Sequence, residues 1–353
     1  MLRFLMLISA LVTASLPQSL GAQEHHSAFP AVDQVLQREA EAGFSGTILV
    51  ARHGVVLERS FGLADREWNI PNGPTTRFRI GSLTKQFTAA AVLLLAEDGK
   101  LSLDAPVCNY IEACPETWHS IRVFQLLDHS SGLPDIVRMP EMQTRFTSPI
   151  TLQAEIDLIK SKPLDFGPGT ATRYGNSGLI VAAQLIERLG GVSYATFLDQ
   201  RIYDPLGMTG SGYAYDSRII PERARGYIRQ QGEILNAAFI DMSIPIGAGS
   251  QFSTARDLYL WDRALRSDRL LAAASRDRMF SANADGYGLG WEVVQEEGRL
   301  VIQHNGDING FGAFIARFPE EDAVIIILSN IEGTRVRAIK DAVANALFAP
   351  SKM

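Results

Sequence analysis

At 353 residues the chain has room for one large domain or two interleaved ones, with an ample core. A composition 46% hydrophobic and 20% charged is that of an ordinary globular protein. The formal net charge of −6 and the lack of long basic runs argue against a nucleic-acid partner, because phosphate binding needs a basic face.

The chain opens with Arg3, an apolar stretch from Phe4 to Leu16, then Pro17 and small residues ending near Gly21-Ala22. That order predicts a cleavable signal peptide over residues 1–22, and hence a secreted or periplasmic protein. The apolar part is shorter than the roughly 20 residues that span a bilayer, so no stable membrane insertion is expected after cleavage. An uncleaved anchor or a buried helix are the alternatives. Residues 23–353 read as a single domain, with a sheet lobe over about 30–81 and 245–350 and a helical lobe over about 82–244.

Phe44–Arg52 is rich in β-formers, His53-Gly54 marks a turn, and Val55–Ala64 returns, which predicts a hairpin. Ser82–Glu97 reads as a helix, with Gly99 placed for its C-cap. Cys108 and Cys114 lie close in sequence, and in an exported chain they predict a local disulfide. Free thiols are the alternative; a metal site would need more ligands than the nearby His119. Helices are expected over Ser177–Leu189 and over Asp257–Leu271, the latter burying Leu258, Leu260, Trp261 and Leu265. Strands follow at Tyr287–Val294, Leu300–His304, Gly310–Phe318 and Ala323–Ser329, and a last helix at Thr334–Phe348. Strands at both ends around a helical middle imply an α+β fold, with one antiparallel sheet built from both termini.

Three groups of residues could carry chemistry. Ser82 and Lys85 are three apart at a helix start, so hydroxyl and amine share one face. An amine beside a serine can draw off its proton, and the helix N-terminus suits a developing oxyanion. Tyr174 and Asn176 follow the Pro/Gly-rich Phe166–Gly169; a phenol near a lysine can relay a proton and an amide can orient that lysine. His304, Asn305 and Gly306 end a predicted strand, where glycine would let a substrate backbone approach the strand edge. Taken singly, each group also fits a bland role: a capping Ser with an exposed Lys, a turn Tyr, a packed His. A dyad of His129 with Ser130 is disfavoured, because neighbours in a loop rarely share productive geometry.

In this order, Ser82-X-X-Lys85, Tyr174-X-Asn176 and His304-X-Gly306 resemble the penicillin-recognising serine hydrolases, specifically the branch of class C β-lactamases, DD-peptidases and related esterases. The likeness runs from Phe44 to Phe348 and includes Phe78–Gly81, His129–Pro134, Asp204–Met208, Ser253–Asp257 and Tyr287–Trp291. It implies a three-layer α/β/α fold of the β-lactamase/transpeptidase type and no cofactor or metal. It also implies an acyl-enzyme at Ser82, with Lys85 or Tyr174 accepting the proton and Asn176 positioning Lys85 and the substrate amide. The oxyanion hole would be the backbone N–H groups of Ser82 and Asp307. The substrates so implied are small molecules or peptides: D-amino-acid peptides, simple esters or β-lactams. A non-catalytic penicillin-binding sensor of the same fold is the alternative.

The third group departs from the Lys-Thr-Gly usual in β-lactamases. Asn305 lacks the hydroxyl and His304 is only partly charged at neutral pH, so strong β-lactamase activity is not expected. Residues 136–165 and 212–245 are expected to rim the pocket. Gly-X-Ser-X-Gly, His-Glu-X-X-His and phosphate-loop patterns are absent from the sequence.

Overall fold

The computed structural model describes residues 27–350; the signal-peptide segment 1–22 lies outside them. Six antiparallel strands form the main sheet, in the order Glu292–Glu296, Arg299–Ile308, Phe311–Phe318, Ala323–Ser329, Gly46–Arg52 and Val55–Phe61. The N-terminal hairpin thus closes onto the C-terminal meander, with Gly46 opposite Ser329 and Arg52 opposite Ala323. The run Ala323-Val-Ile-Ile-Ile-Leu-Ser329 is buried on both faces, as a central strand requires.

Alternation along the strands builds two cores. Ile48, Val50, Phe314, Ile325 and Ile327 face the helices Pro30–Glu41 and Val336–Leu347. Leu49, Ala51, Ile315, Ile326 and Leu328 face the helical lobe. At the heart of that lobe lies the helix Thr84–Glu97, whose residues Thr84 to Leu95 are all buried. Its Ala/Val/Leu-rich sequence is apolar all round, as suits a helix surrounded by protein. It packs on Ser177–Gly190, which ends at Gly191 in the left-handed conformation.

Several boundaries differ from the sequence expectation. The second strand stops at Phe61, because Gly62 turns to the left-handed conformation at φ +67°, and Leu63–Asp65 pairs separately with Ile70–Pro71. The helix expected at Asp257–Leu271 is Ala255–Ala264, capped by Thr254 Oγ1 accepting from the Asp257 N–H. It buries Leu258, Trp261 and Leu265 and leaves Leu260 half-buried; a separate helix follows at Ala273–Phe280. Tyr287–Trp291 is a loop rather than strand, held by the Gly290 N–H donating to the Leu127 carbonyl. The strand expected at Leu300–His304 runs on to Ile308, so the third motif lies inside a strand and not at its end. The helix Pro30–Glu41 and the hairpin Tyr227–Gln230/Glu233–Asn236 carried no sequence expectation.

Cys108 and Cys114 are joined in a disulfide, with Cα atoms 5.4 Å apart. It clips the loop after the central helix.

Candidate active site

Ser82 sits in a single tight turn, Gly81–Leu83, that leads into the helix Thr84–Glu97. The turn is pinned at both ends: Ile80 N–H donates to the Gln251 carbonyl, and Thr84 Oγ1 accepts from the Gln251 N–H. One helical turn on, Lys85 is fully buried, and its Nζ meets three oxygens: Ser82 Oγ at 2.9 Å, Asn176 Oδ1 at 3.0 Å and the Ala248 carbonyl at 3.0 Å. Three acceptors match the three N–H bonds of an ammonium. The Tyr174 hydroxyl reaches Ser82 Oγ at 2.7 Å, and the Lys85 Nζ lies 4.8 Å from the centre of the Tyr174 ring. Tyr174 is 43% exposed, so this cluster opens to solvent on its phenol side.

Asn176 precedes the helix Ser177–Gly190, and its backbone N–H and side-chain Nδ2 both donate to Asp135 Oδ1. A carboxylate accepts only, so the amide nitrogen must face Asp135 and the amide oxygen Lys85. The loop carrying Tyr174 is laced to the segment His129–Gly132 by Arg173 N–H to the His129 carbonyl and Gly169 N–H to the Ser130 carbonyl. The His129 ring centre lies 4.6 Å from that of Tyr174, tilted, and 4.4 Å from that of Tyr287, edge to face; burial holds its pKa well below the usual range, with the Lys85 charge adding to the effect. Ser130 donates instead to Asp128 Oδ1 at 2.6 Å, and no His129–Ser130 dyad forms.

The third motif approaches from the sheet. A Cβ on Gly306 would lie 2.0 Å from the Ile80 carbonyl oxygen, and a Cβ on Gly81 would lie 2.9 Å from the Asp307 backbone nitrogen. What Gly306 admits is therefore the chain's own serine turn rather than a substrate backbone. This contact sets the Asp307 backbone beside that of Ser82. His304 is buried, its Nε2 against the Tyr287 hydroxyl. Burial, and then the Lys85 charge, push its pKa down to about 3, so the imidazole is neutral at pH 7 rather than partly charged. Asn305 Nδ2 donates to the Asp307 carboxylate at 2.7 Å. Pairing with the strand Glu292–Glu296 ends at Gln303, whereas pairing on the other side continues to Ile308. Among the described residues, 304–308 therefore keep one open strand edge beside Ser82.

A family model described as Beta-lactamase matches residues 32–349. The chain belongs to the beta-lactamase family. A penicillin-binding protein of Bacillus subtilis (strain 168) is 30% identical over 313 residues, covering 82% of this chain and 68% of that protein. The crystal structure of a penicillin binding protein from Bacillus halodurans superposes with a TM-score of 0.80 at 25% identity, covering 90% of this chain and 99% of the other. A D-amino acid amidase from Ochrobactrum anthropi SV3, in complex with D-phenylalanine, gives 0.79 at 25% identity, with 90% and 98% covered.

The fold is thus the α+β fold of the beta-lactamase family, with its antiparallel sheet drawn from both chain ends. In this family member, Ser82, Lys85, Tyr174, Asn176 and the His304–Asp307 strand converge on one point, while Cys108 and Cys114 belong to the disulfide elsewhere. Three participants had no place in the motif reading. Asp135 gives no sequence signal beyond following the Ser130–Pro134 stretch. The Ala248 carbonyl is backbone and invisible to residue type. Tyr287 lies in the family-like stretch Tyr287–Trp291, but only the fold sets its hydroxyl against His304.

Proposed function

We propose that the chain is a secreted serine hydrolase that cleaves amide or ester bonds of D-amino-acid substrates through an acyl-enzyme at Ser82. The observation that carries this reading is the double hold on Ser82 Oγ, by Lys85 Nζ at 2.9 Å and the Tyr174 hydroxyl at 2.7 Å. Lys85 is already matched to three acceptors, so the step uses Tyr174 as its phenolate: the phenolate oxygen takes the Ser82 proton, and Lys85 supplies the neighbouring positive charge that favours that form. Ser82 Oγ bonds to the substrate carbonyl carbon, and the backbone N–H groups of Ser82 and Asp307 receive the oxyanion. The Tyr174 proton then goes to the leaving amine or alcohol as its bond to carbon breaks. Water attacks the acyl-enzyme, the acid departs and Ser82 is restored. Substrate lies along the open edge at 304–308 as an added strand.

Two observations favour D-aminoacyl amides, peptides and esters over β-lactams. His304 is buried and neutral, and Asn305 spends its amide on Asp307, so this strand offers no cation to a drug carboxylate. The similarity to a D-amino acid amidase points the same way. Export is supported by the order of residues 1–22 and by the disulfide; N-terminal sequencing of exported protein checks it. The substrate reading is tested by steady-state rates on D- and L-phenylalanine amides, an aryl ester and a chromogenic cephalosporin. The D-amide and the ester are expected to exceed the cephalosporin by at least about tenfold in kcat/KM. A faster cephalosporin overturns it.

A further inference from the structure

We propose that a cavity walled by Arg79, Arg223 and Arg225 is an anion subsite for a carboxylate on the acyl side of an extended substrate. The inference rests on Ser82 being the nucleophile and names what its substrate carries. The cavity has a volume of about 390 Å³ and also presents Asn236, Phe239 and Asn309. Among the described residues, no Asp or Glu lines it. Arg79 pairs with Asp216 at 2.7 Å, with Asp241 also near, and Arg225 pairs with Glu67. Arg223 pairs with no carboxylate among the described residues, and the neighbouring Glu222 is turned to Thr75. Arg223 and Arg79 repel across the cavity, and an anion between two guanidinium groups relieves that repulsion through charge-assisted hydrogen bonds. Phe239, 51% exposed, offers an apolar face to the chain that bears the anion.

The cavity lies on the substrate's path. Arg79 is three residues before Ser82, so their Cα atoms are within about 10 Å, and Asn309, two residues after Asp307, is within about 7 Å of it. Ile308, between Asp307 and Asn309, packs against the small apolar cluster that contains Phe252, the strand partner of Arg79. The leaving group takes its proton from Tyr174 and so lies on the Tyr174–His304 side. The acyl portion then runs the other way along the open edge, past Asp307, and meets the cavity after about two or three extended residues. Chemistry of this kind fits a peptide whose acyl part ends or branches in a carboxylate.

Two fluorophosphonates test this without assuming the substrate's bond type. Both carry a tail two to three residues long, one ending in a carboxylate and the other in its methyl ester. Ser82 Oγ displaces fluoride from each, and each protein serves as its own reference through the ratio of the two labelling rates. In the wild type the carboxylate probe is expected to react about tenfold faster, an advantage that shrinks as salt rises. In Arg223→Gln the ratio is expected to fall to about one. Equal rates in the wild type, or a ratio unchanged in Arg223→Gln, overturn the subsite while Ser82 remains the nucleophile. Failure of both probes to label Ser82 removes the nucleophile and the subsite with it.

Discussion

Asp135 Oδ1 lies 3.0 Å from the backbone nitrogen of Asn176 and 3.2 Å from its side-chain nitrogen. One carboxylate oxygen thus fixes both the position and the rotation of the amide whose other end faces Lys85. Asp135 hydrogen-bonds to neither Ser82 nor Tyr174, so it acts through Asn176. Replacing Asp135 with Ala is expected to lower kcat about 10- to 100-fold and to leave KM nearly unchanged, because the lysine and its amide lose their fixed geometry. Stopped-flow and steady-state kinetics on one ester substrate check this. A rise in KM with kcat intact would show that Asp135 serves binding instead.

Gly306 and Gly81 let the motif strand and the serine turn touch backbone to backbone. With a Cβ at 306 lying 2.0 Å from the Ile80 oxygen, Gly306→Ala forces one of the two backbones to move. The expected cost is about 1–3 kcal/mol of stability. The loss of activity is expected to be larger than that stability loss would suggest, because the backbone N–H groups of Ser82 and Asp307, the proposed oxyanion donors, are moved apart. Thermal melts and Ser82 acylation rates, measured on the same sample, check both halves.

How much of this was legible in the residues follows from the kind of signal each carries. Ser82, Lys85, Tyr174, Asn176 and His304 were legible because side-chain chemistry at short spacing is written in residue type. The central strand Ala323–Ser329 was legible because an unbroken apolar run between turn signals leaves little else. Gly306 was found, but its reason was not, since its neighbour Ile80 is more than two hundred residues away in sequence. Apolar spacing continues to Leu271, but the helix ends at Ala264, where the backbone tightens into turns with the Arg266 N–H on the Arg263 carbonyl and the Ser267 N–H on the Ala264 carbonyl. Asp135 and the Ala248 carbonyl were out of reach: their roles exist only once the loops close around Lys85.

Glu155 predicts a pH dependence of stability. It is fully buried in the helix Leu152–Lys160, neither carboxylate oxygen has a partner, and burial pushes its pKa up to about 9. The folded state therefore holds a proton that the unfolded state releases near pH 4.5. Between about pH 4.5 and 9 the unfolded state binds fewer protons, so this group's contribution to stability falls as pH rises. The Tm of Glu155→Gln relative to wild type is expected to climb steadily from pH 5 to pH 8.5. A difference flat across that range would contradict the buried neutral acid.

The disulfide is a structural clip. Removing it by Cys108→Ser with Cys114→Ser is expected to cost about 2 kcal/mol, from the chain entropy of so short a loop. Activity at a temperature well below the melt is expected to stay at the wild-type level, because neither cysteine is among the hydrogen-bond partners of Ser82 and Lys85. Melting curves with and without reductant, alongside the double variant, check the size and the cause.

The central claim is that Ser82 is the acyl-forming nucleophile. Its most direct test is intact mass spectrometry of the wild type and Ser82→Ala after incubation with a fluorophosphonate and with a fluorescent penicillin. The predicted result is stoichiometric phosphonylation of the wild type, at most slow labelling by penicillin, and no adduct on Ser82→Ala. An adduct of equal mass on Ser82→Ala, or an unlabelled wild type, would contradict it.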